Sequence, residues 1–225
     1  MSSFTVGLDL GQGQDYSALV VVERVLVLPA GVTVGDFYRK PHAHPTLSEQ
    51  LHVRHLRRWE LGTPYPSIVA DVVKLMHAPS MDDGMLLIDG TGVGRAVRDM
   101  FREAWSADRF GVTYPIAVTV TGGHARNGWH VPKSDLMAAI QVPLQQGRLK
   151  VAPRLALGDV LERELVGFRQ KISVTGRDTY DIPRRDGEGH GDLASALSLA
   201  LFQPNTYRRP DVVENAEHIR RAQDD

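Results

Sequence analysis

A chain of 225 residues, 42% of them apolar and 24% charged, has material for one sizeable core, and it holds no low-complexity tract that would argue for extensive disorder. The absence of cysteine excludes a disulfide scaffold, a thiolate nucleophile, a Cys-ligated zinc and an iron–sulfur cluster. Lys and Arg total 26 against 27 Asp and Glu, so a polyanion would have to be met by a local basic patch and not by a global field.

No stretch approaches the ~20 consecutive apolar residues of a membrane span, and Met1–Asp9 lacks the basic-then-apolar layout of a signal peptide. The expectation is an intracellular chain away from the membrane. In chain order, Phe4–Leu10 and Ala18–Leu28 are β-rich runs joined by the polar connection Gly-Gln-Gly-Gln-Asp-Tyr-Ser. Val32–Tyr38 reads as weakly extended, and Leu51–Trp59 as a further strand before the breaker Gly62-Thr-Pro-Tyr-Pro. Ile68, Val69, Val72, Val73 and Met76 share one helical face; Met85–Ile88 is a short buried run, predicted as a parallel strand ending at Asp89. Gly90-Thr-Gly-Val-Gly opens a helix through Trp105, and Pro115–Val120 is the next strand. Asp135–Gln146 is predicted helical with a kink or break at Pro143, and Leu155–Phe168 helical with Leu157, Leu161, Leu165 and Phe168 on one face. A hairpin is expected over Val174–Ile182, then a last helix from Gly189-His-Gly-Asp until Pro204 stops it. Antiparallel strands first and αβ units later predict an α/β fold with a mixed central sheet flanked by helices, residues 1–204, followed by a polar tail, residues 205–225, either mobile or a partner-binding helix.

Asp9 and Asp89 end two of the predicted strands, and Asp192 lies in the first turn of the last helix. Carboxyl ends of neighbouring strands converge in α/β sheets, so the three carboxylates can meet at one edge. There they would raise one another's pKa unless a cation lay between them, and an all-oxygen cage without Cys suits Mg²⁺ or Mn²⁺ better than zinc. Each also has an ordinary reading: a strand end, an Asp-Gly turn, a charge complementing a helix dipole. Asp15 in Gln-Asp-Tyr-Ser reads first as a turn residue. Arg39, Lys40, Arg54, Arg57 and Arg58 form the most basic region and are candidates for phosphate contact, or a solvated strand face. His42, His44, His52 and His55 read as scattered surface histidines and not as a metal site, with no His-Glu-x-x-His element to support one. A Gly-x-Ser-x-Gly elbow and an Asp/Glu-x-Lys triplet are both absent, which argues against a serine hydrolase and a restriction-type nuclease core.

Four segments, Val6-Gly-Leu-Asp-Leu-Gly-Gln-Gly-Gln-Asp-Tyr-Ser-Ala, Leu87-Ile-Asp-Gly-Thr-Gly-Val-Gly, Val131-Pro-Lys-Ser-Asp-Leu and Gly189-His-Gly-Asp-Leu-Ala-Ser-Ala-Leu-Ser-Leu-Ala, resemble in order and spacing the nuclease domain of bacteriophage terminase large subunits, across Phe4–Phe202. The resemblance implies an RNase H-like fold in which Asp9, Asp89 and Asp192 bind two divalent ions, Mg²⁺ or Mn²⁺, and hydrolyse double-stranded DNA during genome packaging in the host bacterial cytoplasm. In such hydrolysis one ion generates hydroxide and the other stabilises the leaving 3′ oxygen, ~3.5–4 Å away. Asp9 would bridge the ions and Asp89 and Asp192 would each complete one shell; His190, Asp15 and Lys133 would support the site or contact phosphate. The chain contains no Gly-x-x-x-x-Gly-Lys-Ser/Thr phosphate loop, so ATP-driven packaging does not follow for this chain alone; a separate packaging ATPase, or a portal, is one partner that the resemblance allows. Gly191 stands where many relatives carry a further acid, which bears on the second ion.

Other readings share these residues. Gly7-Leu-Asp-Leu-Gly-Gln-Gly and Leu87-Ile-Asp-Gly-Thr-Gly also resemble the phosphate loops of the actin, sugar-kinase and chaperone superfamily, which encloses ATP between two such domains where this chain has length for one. A Holliday-junction resolvase would place carboxylates on the same fold. A non-cutting packaging scaffold would have no use for them.

Overall fold

The computed structural model describes residues 3–39, 47–81, 84–92, 94–105, 115–123, 125–167, 169–172, 178–181, 191–202 and 212–213. Its elements are β1 (Ser3–Asp9), β2 (Ala18–Val27), α1 (Val34–Arg39), β3 (Ser48–Arg58), α2 (Tyr65–Met76), β4 (Met85–Asp89), α3 (Gly94–Ala104), β5 (Ile116–Thr121), β6 (His130–Pro132), α4 (Lys133–Gln145), β7 (Leu149–Val151), α5 (Gly158–Gly167), β8 (Arg169–Ile172), β9 (Asp178–Asp181), α6 (Asp192–Leu201) and β10 (Val212–Val213). The main sheet runs β6-β5-β4-β1-β2-β3-β7. β1, β2 and β3 are antiparallel neighbours, whereas β4 joins β1 in parallel and β5 and β6 continue in parallel beyond it. This is the mixed, helix-flanked sheet expected from the sequence.

Period-two alternation assigns the two faces. Val6, Leu8, Leu19, Val21, Leu86 and Ile88 pack against Ile68, Val72 and Met76 of α2 and Val97 and Phe101 of α3. On the opposite face Ala18, Val20 and Val22 meet Leu193, Ala196, Leu197 and Ala200 of α6, with Leu161 of α5 and Ile140 of α4 outside. Nine of the ten α6 residues are buried, which is why its sequence is apolar all round and not along a stripe. Each of its buried leucines contributes about 1.5–3 kcal/mol.

Gly7 makes that packing possible. A Cβ there would fall 1.9 Å from the Ala196 carbonyl oxygen and 2.6 Å from the Ala200 nitrogen, so only glycine lets β1 and α6 approach this closely. Gly7→Ala must separate two backbones and is expected to cost about 3 kcal/mol or more. For a chain of this size that lowers Tm by about 6–12 °C; a melting curve that does not move would contradict the packing.

The structure departs from several sequence expectations. Val32–Tyr38 is not extended: Val34–Arg39 is helical, because Thr33 and Asp36 form a reciprocal cap in which the Asp36 N–H donates to Thr33 Oγ1 at 3.0 Å and Thr33 Oγ1 donates to Asp36 Oδ2 at 2.7 Å. Pro143 neither breaks nor ends α4, which continues to Gln145. The α5 helix starts at Gly158 and not near Leu155, since Leu157 holds φ +65°, outside the helical region. The late hairpin exists, with Arg169–Ile172 antiparallel to Asp178–Asp181; its first strand begins earlier than expected, and the residues between the strands lie outside the described ones. Of the expected tail, Val212–Val213 pairs in parallel with Leu26–Val27 of β2. His52 is buried, 3% exposed, and is not a surface histidine; His42 and His44 lie outside the described residues.

Candidate metal centre

Leu8 pairs with Ile88 across parallel β1 and β4, so Asp9 and Asp89 occupy the next positions at adjacent strand ends, with the strands about 4.8 Å apart. Leu8 and Ile88 face α2 and α3; one residue further along, the two aspartates therefore face α6. Gly7 touches Ala196 on that same side. Asp9 lies two residues beyond Gly7, and Asp192 one helical turn before Ala196, displacements of about 6–7 Å each toward the same edge. The three acids separated by 80 and 103 residues in sequence, 89 − 9 and 192 − 89, thus reach one place.

Electrostatics records the convergence. Burial pushes the Asp9 carboxyl well above the ordinary carboxylate range, and the charges of Asp89, Asp192, Asp15 and Glu164 push it further, in that order. Asp15 belongs to this field and is at the same time the turn residue it resembles, its N–H donating to the Gln12 carbonyl at 3.1 Å. Asp89 likewise combines both readings: Oδ1 accepts from the Thr91 N–H at 2.8 Å and from the Thr91 hydroxyl, an Asx turn that orients the carboxylate. A Cβ on Gly94 would sit 1.9 Å from the Asp89 carbonyl oxygen, so glycine there lets the α3 N-terminus tuck beneath this aspartate.

Glu164 was not among the sequence candidates. Its carboxylate, 7% exposed, forms an ion pair with Arg58, and Oε2 accepts the Ala194 N–H at 2.9 Å. Arg58 Nη2 also lies 3.7 Å from Asp192 Oδ2, and its guanidinium stacks 4.9 Å above the Tyr16 ring. The sequence signal was present: Glu164 sits on the same helical face as Leu161 and Leu165, an acid within an apolar stripe.

Most of the basic region expected to contact phosphate is committed elsewhere. Arg54 pairs with the buried Glu23 at 2.7 Å, Arg57 pairs with Asp71, whose Oδ2 also accepts from Trp59 Nε1 at 2.9 Å, and Arg58 is held by Glu164. These arginines compensate buried or half-buried acids beside β2 and β3 and do not form an open cationic face. Arg39 ends α1 and is exposed; Lys40 and His190 lie outside the described residues. Lys133 is exposed at the start of α4, directly after β6 and on the same sheet edge as Asp89.

The donor chemistry fits a hard divalent cation: Asp9, Asp89 and Asp192 supply oxygen only, and their mutual repulsion at Asp9 is what a cation would relieve. Among the described residues no three His, Asp or Glu side chains enclose an ion as they stand; Asp89 bonds Thr91 and Asp192 lies toward Arg58.

No known family profile matches this sequence, and no curated protein does. Solved structures do match. The large terminase nuclease of thermophilic phage G20c is 18% identical over 88% of this chain and 81% of its own, with a TM-score of 0.57; a structure of that protein with bound magnesium gives 20% and 0.56. The large terminase nuclease domain of Thermus phage P74-26 is 15% identical over 92% and 82%, TM-score 0.55. The large terminase of bacteriophage HK97 is 13% identical over 89% of this chain but 39% of its own length, TM-score 0.53. The expected architecture is thus the observed one, and this chain has the RNase H-like fold of large terminase nuclease domains.

Proposed function

We propose that this chain is a divalent-metal-dependent endonuclease of the large-terminase type, cutting double-stranded DNA in the course of viral genome packaging. The observation that carries the reading is the meeting of Asp9, Asp89 and Asp192 at one edge of the sheet, in a fold shared with a terminase nuclease that has been crystallised with magnesium. Asp9, in register beside Asp89 and within the field of Asp192, would bridge two ions, and Asp89 and Asp192 would each complete one ion's shell. Bound cations would make water a nucleophile at neutral pH and stabilise charge on the leaving 3′ oxygen. The chain's own contribution is positional: Thr91 orients Asp89, the β1 register with β2 and β4 fixes Asp9, and the buried α6 fixes Asp192. A packaging ATPase or a portal, in the cytoplasm of the host cell, would act with this edge on the DNA.

DNA would approach from the β5–β6 side. Residues 115–134 contain no Asp or Glu, and Arg126, His130 and Lys133 are exposed there beside the carboxylate edge. The double reversal Arg126→Glu/Lys133→Glu is expected to weaken duplex binding and to reduce the slope of log K against log salt by about 2, measured by fluorescence anisotropy in Ca²⁺. An unchanged slope would remove this surface from the interface.

The primary test is plasmid cleavage without ATP in Mn²⁺, Mg²⁺ or chelator, with Asp89→Ala in parallel. Metal-dependent nicking or linearisation that the variant lacks is the expected result. A cleavage rate identical in the two proteins would overturn the proposal.

A further inference from the structure

The N-cap of α6 is Gly191, at φ +81°, which has no side chain to bond the first turn. The cap comes from another helix: Glu164 of α5 accepts the Ala194 N–H through Oε2 while its other oxygen holds Arg58. Both partners are nearly sealed from solvent, the Arg58 and Glu164 side chains being 13% and 7% exposed, and Tyr16 covers the guanidinium. The same guanidinium stands 3.7 Å from Asp192 Oδ2, so a single cation is shared unequally between two acids. A planar fork of donors can pair closely with one carboxylate while approaching a second.

Resting on the reading of Asp192 as a metal ligand, we infer that Glu164 and Arg58 are a positioning pair for that residue. Glu164 fixes the first turn of α6 and draws Arg58 toward itself, which keeps the guanidinium from closing on Asp192 and competing with a metal ion. Neither residue touches substrate. Their effect is on metal affinity, through Asp192, in the manner of the outer partners that orient metal ligands.

Glu164 has two roles that a substitution can divide. Glu164→Gln keeps an oxygen to accept the Ala194 N–H but loses the charge that holds Arg58. Arg58 then pairs fully with Asp192, and Mn²⁺ binding weakens by about 10–100-fold. Removing the guanidinium as well, in Arg58→Met/Glu164→Gln, frees Asp192 and restores Mn²⁺ affinity toward that of the unaltered chain. A purely structural role could not give such a rescue, since the double variant discards more of the native network than the single one.

Mn²⁺ binding is read directly, from the electron paramagnetic resonance signal of free Mn²⁺ during titration of the full chain, with no DNA present. Weakened binding in Glu164→Gln with recovery in the double variant supports the pair. Equal affinity in the single variant, or loss in both without recovery, overturns it while leaving the nuclease reading in place. Absence of Mn²⁺ binding by the unaltered chain overturns the metal-centre reading and this inference together.

Discussion

Asp9→Ala is expected to lower metal-dependent plasmid cleavage by at least about 100-fold, the largest effect of any single substitution in this chain. The reason is position. Asp9 sits in register beside Asp89 and within the field of Asp192, so on the proposed reading its removal would withdraw the ligand shared by both ions. Asp192→Ala should be damaging to a smaller degree, because Asp9 and Asp89 remain adjacent on neighbouring strands. Rates from gel quantification at saturating Mn²⁺, with Tm measured on each variant, separate a lost ligand from a lost fold. Asp9→Ala protein that melts normally and still cuts at the full rate would sink the assignment of Asp9.

Mn²⁺ is expected to stabilise the fold, and Asp9→Asn to imitate part of that effect. Asp9 keeps its proton to higher pH when folded than when unfolded, through burial and then through the charges of Asp89, Asp192, Asp15 and Glu164. Between the ordinary carboxylate pKa of about 3.9 and the raised folded value, the folded chain therefore binds more protons, and stability falls as pH rises. At neutral pH the site without metal is a source of instability. A ligand at about 100 times its Kd adds about 2.7 kcal/mol, which for this size corresponds to a rise of about 5–11 °C in Tm. In chelator at neutral pH, Asp9→Asn should melt above the unaltered chain, because the amide removes the carboxyl whose ionisation the folded site opposes, and should gain less from Mn²⁺. A lower Tm in chelator for Asp9→Asn would show that the Asp9 charge is not the destabilising group.

The altered role of the arginines is a lesson in what charge patterns mean. Arg54, Arg57 and Arg58 cluster with His52 and His55 within one stretch of β3, and in sequence they read as a basic region. Their partners, Glu23, Asp71 and Glu164, come from a neighbouring strand and two helices. A cation count made along a strand cannot register acids delivered across it, whereas residues 115–134 present their basic side chains on an acid-free stretch of chain.

What the sequence by itself determined was whatever depends on local periodicity and on residue type at element ends. The alternation of β1 and β2, the buried run at Met85–Ile88 and the apolar α6 marked the elements that form the sheet centre and its covering helix. Asp9, Asp89 and Asp192 were legible because each closes or opens such an element. Tertiary structure alone decided their meeting, through the Leu8–Ile88 register and the contact of Gly7 with Ala196. It alone assigned Glu164 as the cap of α6 and the partner of Arg58, since these residues are 106 apart in sequence. The Thr33–Asp36 cap shows the intermediate case, a local signal strong enough to win over a weakly extended pattern. The physical division is one of range: burial periodicity and capping act within a few residues, while charge compensation and ligand convergence act across whatever the fold brings within a few ångströms.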